Sequence, residues 1–297
     1  MKKLTIAVCT YNRAEILREC IESILVGNKN LNNYEILVVD NNSRDNTKEI
    51  VESFQQNIIK YIFEEKQGLS CARNRAIKEC NTKLIAFIDD DTLVEGNYVN
   101  LVIDYFEKNK LVCAGGRIKS IWKEKKPMWF NDGFYSIIGE TKYGNTYREL
   151  VGNEFPYGGN MIFDIEILNH IKWFDETLGM KGKEILVGEE VELCSRIRHK
   201  YKIMYLPEVT VQHRVHMNKV SKEYVNERWK QEGKATGQII SNETNIKKII
   251  EYIKRIGILI IRDIPMYIIK SILKSEDKFY WYAKRNRTYM ILKWIKF

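Results

Sequence analysis

The sequence predicts an α/β fold in which a mostly parallel β-sheet is flanked by helices and followed by a helical, basic C-terminal extension. Strand-like and helix-like segments alternate through the first third of the chain, an order that favours parallel strands joined by right-handed crossovers. Residues 84–88 have no polar face, which suits a strand buried on both sides. The net positive charge lies in the tail, whose apolar residues recur at helical spacing.

The elements can be followed in order along the chain. The strands are expected at residues 4–9, 35–39, 58–63, 84–88 and 111–120, and later at 202–206 and 209–213. Helices are expected after each of the first three strands, at 97–108, at 167–173 and at 189–198. Asn12 and Glu15 resemble a capping box at the start of the first helix. Residues 122–156 are rich in aromatic residues without a period, which is typical of a binding loop or of side chains that cover one end of a sheet.

Three consecutive carboxylates, Asp89, Asp90 and Asp91, follow the apolar strand 84–88 directly. The carboxyl ends of strands in open α/β sheets are where ligands bind, and adjacent negative charges repel one another unless a cation lies among them. Carboxylate oxygens suit Mg²⁺ or Mn²⁺. The sequence therefore predicts a divalent metal site here, and the alternative is a solvated acidic turn.

The composition, 44% hydrophobic and 29% charged over 297 residues, is that of one large domain or a domain with an appendage. Six cysteines form no CxxC pair, which favours free thiols in a reducing cytosol. No stretch reaches the roughly 18 uncharged apolar residues that a membrane span needs. We therefore expect a cytoplasmic protein that is not integral to a membrane.

The charge is unevenly distributed. Residues 218–297 contain 18 Lys and Arg against 8 Asp and Glu, whereas the rest of the chain has 30 against 31. A nucleic-acid enzyme would carry positive charge around its cleft, so we expect no nucleic-acid partner. Helices expected at 221–233 and 246–273 combine apolar and basic residues. Such helices either dock on anionic lipid, here at the inner face of the cell membrane, or pack on protein, including a second copy in a homo-oligomer.

Seven blocks, in this order along the chain, resemble glycosyltransferase family 2: IAVCTYNR, VVDNNSRD, GLSCARNRAI, FIDDDT, GGNMIF, GEEVELCSRIR and LPEVTVQH. They cover about the first 215 residues, and together they are far more specific than any one block. The resemblance implies a GT-A fold, a nucleotide-sugar donor with UDP as the default, and a carbohydrate or glycoconjugate acceptor. It implies a catalytic domain over 1–217, with a nucleotide-binding half 1–120 and an acceptor-binding half 121–217, followed by the extension 218–297.

The resemblance also implies roles for individual residues. The nucleotide would contact Thr10, Tyr11, Arg13, Asp40, Asn42, Arg73, Asp89 and Asp90. Asp91 and His213 would hold Mn²⁺ or Mg²⁺ against the diphosphate, and Gly159, Asn160 and Trp129 would lie on the acceptor side. The paired glycines 158 and 159 imply a backbone that lies close to another group. Where the family has a Glu-Asp pair at a helix start, this chain has Glu189 and Glu190.

We predict Glu190 as the general base that accepts the acceptor's hydroxyl proton, with Glu189 orienting the acceptor. A base on the face opposite the leaving diphosphate gives one displacement, and hence inversion at the anomeric carbon. Two other classes stay open. A nucleotidyltransferase of sugar phosphates would want a glycine-rich loop after the first strand, where this chain has Thr10 to Arg13. A non-catalytic sugar-binding module on the same fold would not need Asp89, Asp91 and Glu190 together.

Overall fold

The computed structural model describes residues 2–182 and 187–297, which form two compact units. The first unit comprises residues 2–121, 139–182 and 189–214. The second comprises residues 122–138, 187–188 and 215–297. The aromatic segment 122–138, placed by the sequence analysis in the acceptor-binding half, therefore belongs to the same unit as the tail.

The first unit is built on one mixed sheet. Its strands are β1 Leu4–Thr10, β2 Tyr34–Asp40, β3 Ile59–Phe63, β4 Leu84–Asp89, β5 Thr92–Val94, β6 Cys113–Trp122, β7 Arg148–Glu149, β8 Met161–Asp164 and β9 Met204–Val215. The order across the sheet is β3-β2-β1-β4-β8-β6-β9-β5, and β7 pairs with β9. Strands β3, β2, β1 and β4 are parallel, as the alternation predicted, whereas β8 runs antiparallel to both β4 and β6.

Helices flank this sheet and make up most of the second unit. The first unit contains α1 Ala14–Gly27, α2 Thr47–Ser53, α3 Leu69–Glu79, α4 Tyr98–Asn109, α5 Ile165–His170 and α6 Glu189–Arg198. The second unit contains α7 Lys222–Ser241, α8 Asn245–Ile258, α9 Ile264–Ile272 and α10 Lys278–Trp294. The helices after the first three strands lie where the sequence predicted them.

The parallel strands hold two cores apart because their side chains alternate between the faces of the sheet. Ile6, Ile36 and Ala86 pack in one buried cluster, whereas Ala7 and Leu37 pack in the other. The register aligns Thr10 with Asp40 and Cys9 with Asp89. The carboxyl ends of β1, β2 and β4 therefore meet at one edge, where the polar residues of the predicted site begin.

Local signals proved wrong at three places. The two strands predicted at 202–206 and 209–213 form one strand, β9, which continues through Pro207: its start pairs with β7 and its later part pairs with β5. The helix predicted over 246–273 is divided by a π-helical turn at Leu259–Asp263. Asn12 does not cap α1: its side-chain oxygen Oδ1 accepts from Arg44 N at 2.8 Å, and a side-chain oxygen of Asp45 accepts from Ala14 N at 3.1 Å.

The second unit packs α7 against α10 at close range. A Cβ at Gly237 would lie 2.7 Å from the carbonyl oxygen of Ile291, so only glycine permits this approach. Phe130 and Phe134 pack with Trp229 and Ala283 in a separate aromatic cluster. Among the described residues, we find no helix with the length and apolar content to cross a bilayer.

Gly116 on β6 provides a test of the packing beneath the site. A Cβ there would collide with the Asn160 amide and the Val209 carbonyl oxygen, and neither can move without breaking the sheet. Gly116→Ala should lower the free energy of unfolding by about 1–3 kcal/mol, since an overpacked core forces shifts of the surrounding atoms. Urea denaturation measures this change.

Gly96→Ala is the matched control, because no heavy atom of the described residues, apart from Gly96 and its two chain neighbours, lies within 4 Å of a Cβ at that position. Equal midpoints for the two variants would contradict the close packing of β6, β9 and Asn160.

Candidate functional site

The acid triplet at the end of β4 is bound to the end of β1. The Thr10 hydroxyl donates to Asp90 Oδ2 at 2.7 Å, and Arg13 Nη1 donates to Asp90 Oδ1 at 2.8 Å. The same Arg13 nitrogen lies 3.2 Å from Asp91 Oδ2. Burial raises the pKa of Asp90, and Arg13 opposes this rise. Asp90 and Asp91 are therefore a buried, partly neutralised pair, not the solvated acidic turn that was the alternative.

Asp91 also lies beside the predicted second metal ligand. His213 Nε2 is 3.1 Å from Asp91 Oδ1, and strand pairing aligns His213 with Thr92. The other ring nitrogen, His213 Nδ1, is buried and has no hydrogen-bond partner within the described residues. Residues 122 positions apart in sequence are thus brought together by the pairing of β5 with β9.

Asp91 and His213 could supply only part of the coordination shell of a divalent ion. Within residues 2–182 and 187–297, no group of three or more His, Cys, Asp and Glu side chains converges as a complete metal site. Asp91 and His213 supply an oxygen and a nitrogen at one place, and Mg²⁺ usually takes one or two carboxylates together with substrate phosphates. A metal here would therefore need a diphosphate to complete its ligands.

Arg73 on α3 lies at the centre of the remaining carboxylates. Its Nη1 donates to Glu189 Oε1 at 2.9 Å and lies 3.9 Å from Glu190 Oε1, while Nη2 lies 3.6 Å from Asp89 Oδ1. Burial lowers the pKa of the guanidinium, but Glu190, Glu189 and Asp89 outweigh it and leave that pKa raised. One buried cation therefore brings the acid triplet and the predicted base into a single cluster.

The paired glycines lie against this cluster. A Cβ at Gly158 would collide with Arg73 Nη2 and would lie 2.6 Å from Glu190 Oε1. A Cβ at Gly159 would lie 3.0 Å from Asp89 Oδ2. The group that the glycines were expected to approach is the Arg73 cluster itself, and Gly159 faces the end of the acid triplet.

The two glutamates at the start of α6 differ in exposure. The Glu189 side chain is buried on Arg73, whereas the Glu190 side chain keeps 17% of its surface accessible. Both are in the first turn of the helix, where the free backbone N–H groups favour negative charge. Glu190 is thus the carboxylate of the pair that solvent or a ligand can reach.

The residues predicted to contact the nucleotide lie at the carboxyl edge of the sheet, and some of them already make hydrogen bonds within the protein. Asp40 accepts from Ser43 N and from the Tyr61 hydroxyl, both at 2.8 Å. Asn42 has a φ of 68° and donates its amide to Glu65 O at 3.2 Å. Tyr11 is partly exposed at the end of β1. Asp40 and Asn42 therefore shape the turn after β2.

Two residues predicted on the acceptor side lie elsewhere than in the Arg73 cluster. The Asn160 side chain is fully buried, donates to the carbonyls of Arg117 and Val209, and accepts from Tyr98. The donor capacity of its side-chain amide is therefore already used by carbonyls of β6 and β9. Trp129 belongs to the second unit, where it lines an open cavity of about 510 Å³.

Sequence reasoning missed two structural residues of the site. Gly158 was quoted only as part of a glycine pair, although it faces both Arg73 and Glu190. Asn41 was not singled out, but its side-chain oxygen Oδ1 accepts from Gly68 N at 2.7 Å and its side-chain Nδ2 donates to Lys66 O at 2.8 Å. The sequence feature that could have indicated Asn41 is its position directly after β2, at the carboxyl edge of the sheet.

A family model described as Glycosyl transferase family 2 matches residues 5–171, more than half of the chain. The chain belongs to glycosyl transferase family 2. The glucosyl-dolichyl phosphate glucuronosyltransferase of Haloferax volcanii is 25% identical over 221 residues, which cover 72% of this chain and 69% of that protein. Glycosyltransferase GlyA of Streptococcus pneumoniae is 25% identical over 238 residues, which cover 76% of this chain but 32% of that protein.

Solved structures agree with the family in their fold. The mannosyltransferase PcManGT from Pyrobaculum calidifontis, in complex with GDP-Man and Mn²⁺, has a TM-score of 0.58 at 16% identity, over 80% of this chain and 63% of that chain. GalNAc-T7 with UDP, GalNAc and Mn²⁺ has the same TM-score and identity, over 76% and 47%. Both are glycosyltransferases with the GT-A fold, so the predicted fold is confirmed.

Arg73→Met provides a test of the buried cluster. The substitution keeps an unbranched apolar stem but removes the guanidinium and leaves Glu189 buried without its 2.9 Å partner. Removing one partner of a buried ion pair costs about 3–5 kcal/mol, and chemical denaturation should show a loss of that size in the free energy of unfolding.

Arg75→Met is the control on the same helix. Arg75 is about one-third exposed and pairs with Glu79 at 2.9 Å, and a surface pair of this kind contributes at most about 1 kcal/mol. Similar losses for the two variants would show that Arg73 does not organise the carboxylates.

Proposed function

We propose that this chain is an inverting glycosyltransferase that moves a sugar from a nucleoside-diphosphate donor, by default a UDP-sugar, to a hydroxyl of a glycan or lipid-linked acceptor. The observation that supports this is the Arg73 cluster, in which Asp89 and Glu190 both lie within 4 Å of one guanidinium. A donor-binding carboxylate and a candidate base are thus neighbours at the carboxyl edge of the sheet, where ligands of α/β folds bind.

On the donor side, Thr10, Tyr11 and Arg13 together with Asp40 and Asn42 would surround the base and ribose. Asp89 is 40% exposed, whereas Asp90 is buried between Thr10 and Arg13. We therefore propose that Asp89 faces the donor directly and that Asp90 positions Arg13. Arg73 would also be a positioning residue, because its buried guanidinium holds Asp89, Glu189 and Glu190 in place for the donor.

Asp91 and His213 would hold the divalent ion. When bound, the ion supplies positive charge that neutralises the leaving diphosphate. The protein's own part is to keep a carboxylate and an imidazole 3.1 Å apart at the end of β4. Arg13 would keep the second Asp91 oxygen oriented through its 3.2 Å contact.

Glu190 would act as the base. As the acceptor hydroxyl oxygen forms a bond to the anomeric carbon, its proton passes to a Glu190 oxygen, and the bond between that carbon and the diphosphate oxygen breaks with its electron pair leaving on the diphosphate. One displacement inverts the anomeric configuration. Glu189 would stay paired with Arg73 and keep Glu190 directed outward, since both residues begin α6.

The three residues predicted on the acceptor side would each act in a different way. Gly159 lies against Asp89, the carboxylate proposed to face the donor, and would contact the acceptor through its backbone. Asn160 would act only by positioning that backbone, since its amide is bonded to the sheet. Trp129 lines its cavity with Phe279 and Tyr282, and aromatic faces of this kind pack against the apolar face of a sugar or a lipid chain.

The geometry does not favour the two other classes. The turn from β1 into α1 contains no glycine, and its Arg13 is bound to Asp90 and Asp91, so it offers no open phosphate loop of the kind a nucleotidyltransferase would use. A non-catalytic module would have no need for an accessible carboxylate at Glu190 beside a buried one at Glu189.

Replacing Glu190 with Gln tests the base. Gln keeps the shape but cannot accept the proton, so kcat for transfer should fall by about 10²–10⁴-fold while the donor KM changes little. Steady-state kinetics with a transferable sugar nucleotide measures this. Glu192→Gln, on the same helix and paired with Arg196 at 2.7 Å, should retain activity.

Two results would contradict Glu190 as the base. One is full activity in Glu190→Gln. The other is a product whose anomeric configuration, read by NMR, is the same as that of the donor.

Replacing Asp91 with Asn tests the metal proposal without requiring turnover. Wild-type protein should unfold at a higher temperature with UDP and Mn²⁺ together than with either alone, because ligands that bind only the folded state stabilise it. Asp91→Asn should lose most of that added shift, and EDTA should abolish it in the wild type. Asp104→Asn, an exposed position on α4, should keep the shift, and equal shifts in both variants would remove Asp91 from the metal site.

A further inference from the structure

The second unit exposes an unusual concentration of large aliphatic side chains. Of the 19 large apolar side chains that are exposed in the described residues, 11 lie between residues 246 and 273. We call them the isoleucine face: Ile246, Ile249, Ile250, Ile253, Ile260, Ile261, Ile264, Ile268, Ile269, Ile272 and Leu273. Exposure reaches 80% at Ile261. A contiguous apolar surface of this kind marks a binding surface in a stable protein.

The π-helical turn keeps the two halves of this face aligned. Each α-helical residue advances about 100°, and without the turn the run 268–273 would be rotated by about that angle from the run 246–253. The turn at Leu259–Asp263 inserts one extra residue, which brings the runs back onto one side. Neither α8 nor α9, both fully described, has a completely buried residue.

The turn is also fixed in place. Asp263 is fully buried and accepts from the Thr288 hydroxyl of α10 at 2.6 Å and from Arg262 Nε at 2.8 Å. A buried carboxylate is costly unless it is bonded in this way. The helix pair is thus attached to α10 through polar contacts and keeps its isoleucines outward.

The charge around the face selects its occupant. Residues 244–274 contain seven Lys and Arg against two acids. Glu251 is bonded to Lys254 and Arg255, and Asp263 is buried. A two-fold contact between copies would set this patch against itself and bring the cations together. An anionic lipid surface instead complements both the isoleucines and the cations.

We propose that the isoleucine face and its flanking cations dock this chain on an anionic lipid bilayer, with α8 and α9 lying in the interface plane. Apolar side chains of an interfacial helix enter the headgroup and acyl boundary to a depth of about 5–10 Å, and nearby Lys and Arg are attracted to the anionic headgroups. The inference goes beyond the transferase reaction and does not depend on it.

Co-sedimentation of the full chain with vesicles tests the proposal without donor, acceptor or metal. The protein should pellet with vesicles of phosphatidylcholine mixed with phosphatidylglycerol, and it should bind pure phosphatidylcholine vesicles at least about tenfold more weakly. Raising the salt concentration should release it, because the ionic part of the attraction is screened.

Two double variants separate the apolar and charged contributions. Ile249→Ser with Ile253→Ser should weaken binding at constant charge, whereas Val26→Ser, a position on α1 that is 76% exposed, should bind as wild type. Lys254→Gln with Lys274→Gln removes two exposed cations and should weaken binding by about thirtyfold. Thermal unfolding checks that each variant is folded. If the Ile249→Ser with Ile253→Ser variant does not fold, the Lys254→Gln with Lys274→Gln variant still tests the proposal.

Three outcomes would overturn the proposal. The first is equal binding to neutral and anionic vesicles. The second is unchanged binding in every folded variant of the face. The third is a stable dimer, detected by sedimentation equilibrium, that dissociates in Ile249→Ser with Ile253→Ser, since the occupant would then be a second copy.

Discussion

The buried guanidinium of Arg73 is the contact on which the site depends. It is surrounded by Glu189, Glu190 and Asp89. Three carboxylates this close together would repel one another without a cation between them. Arg73 comes from α3, the glutamates from the start of α6 and Asp89 from the end of β4. A single side chain thereby joins the parallel half of the sheet to the later helix that supplies the proposed base. Position 158 accommodates only glycine, because the backbone of that turn lies directly against the same guanidinium.

A second cation, Arg13, organises the other two acids of the triplet by the same means. Arg13 follows β1 and binds Asp90 and Asp91, while Thr10 fixes the other oxygen of Asp90. The acid triplet is therefore divided by function: one carboxylate turns toward Arg73, one is buried on Arg13, and one lies between Arg13 and His213. Arg13 and Arg73 thus place a positive charge beside each of the three adjacent acids at the sheet edge.

The second unit follows different physics. α7 and α10 pack closely through glycines and aromatic side chains, whereas α8 and α9 direct their isoleucines to solvent. Exposed aliphatic side chains at this density are typical of an interaction surface, which agrees with the docking role proposed for the tail. The cations on the same helices restrict the kind of partner, since a like-charged copy would be repelled.

The sequence by itself determined the α/β class, the first four strands, the carboxyl-edge position of the acids and the family, because these follow from short periodic patterns and from block order. It could not place Arg73 on Glu189, pair Asp91 with His213 or bury the Asn160 amide, because each contact joins residues far apart in the chain and depends on strand pairing. Only the tertiary structure decided that residues 122–138 belong with the tail, that Pro207 lies within one strand, and that an Asp45 contact replaces the expected Asn12 cap. The physical reason is that local patterns record which face of an element is apolar, whereas partners across the fold are chosen by packing and charge.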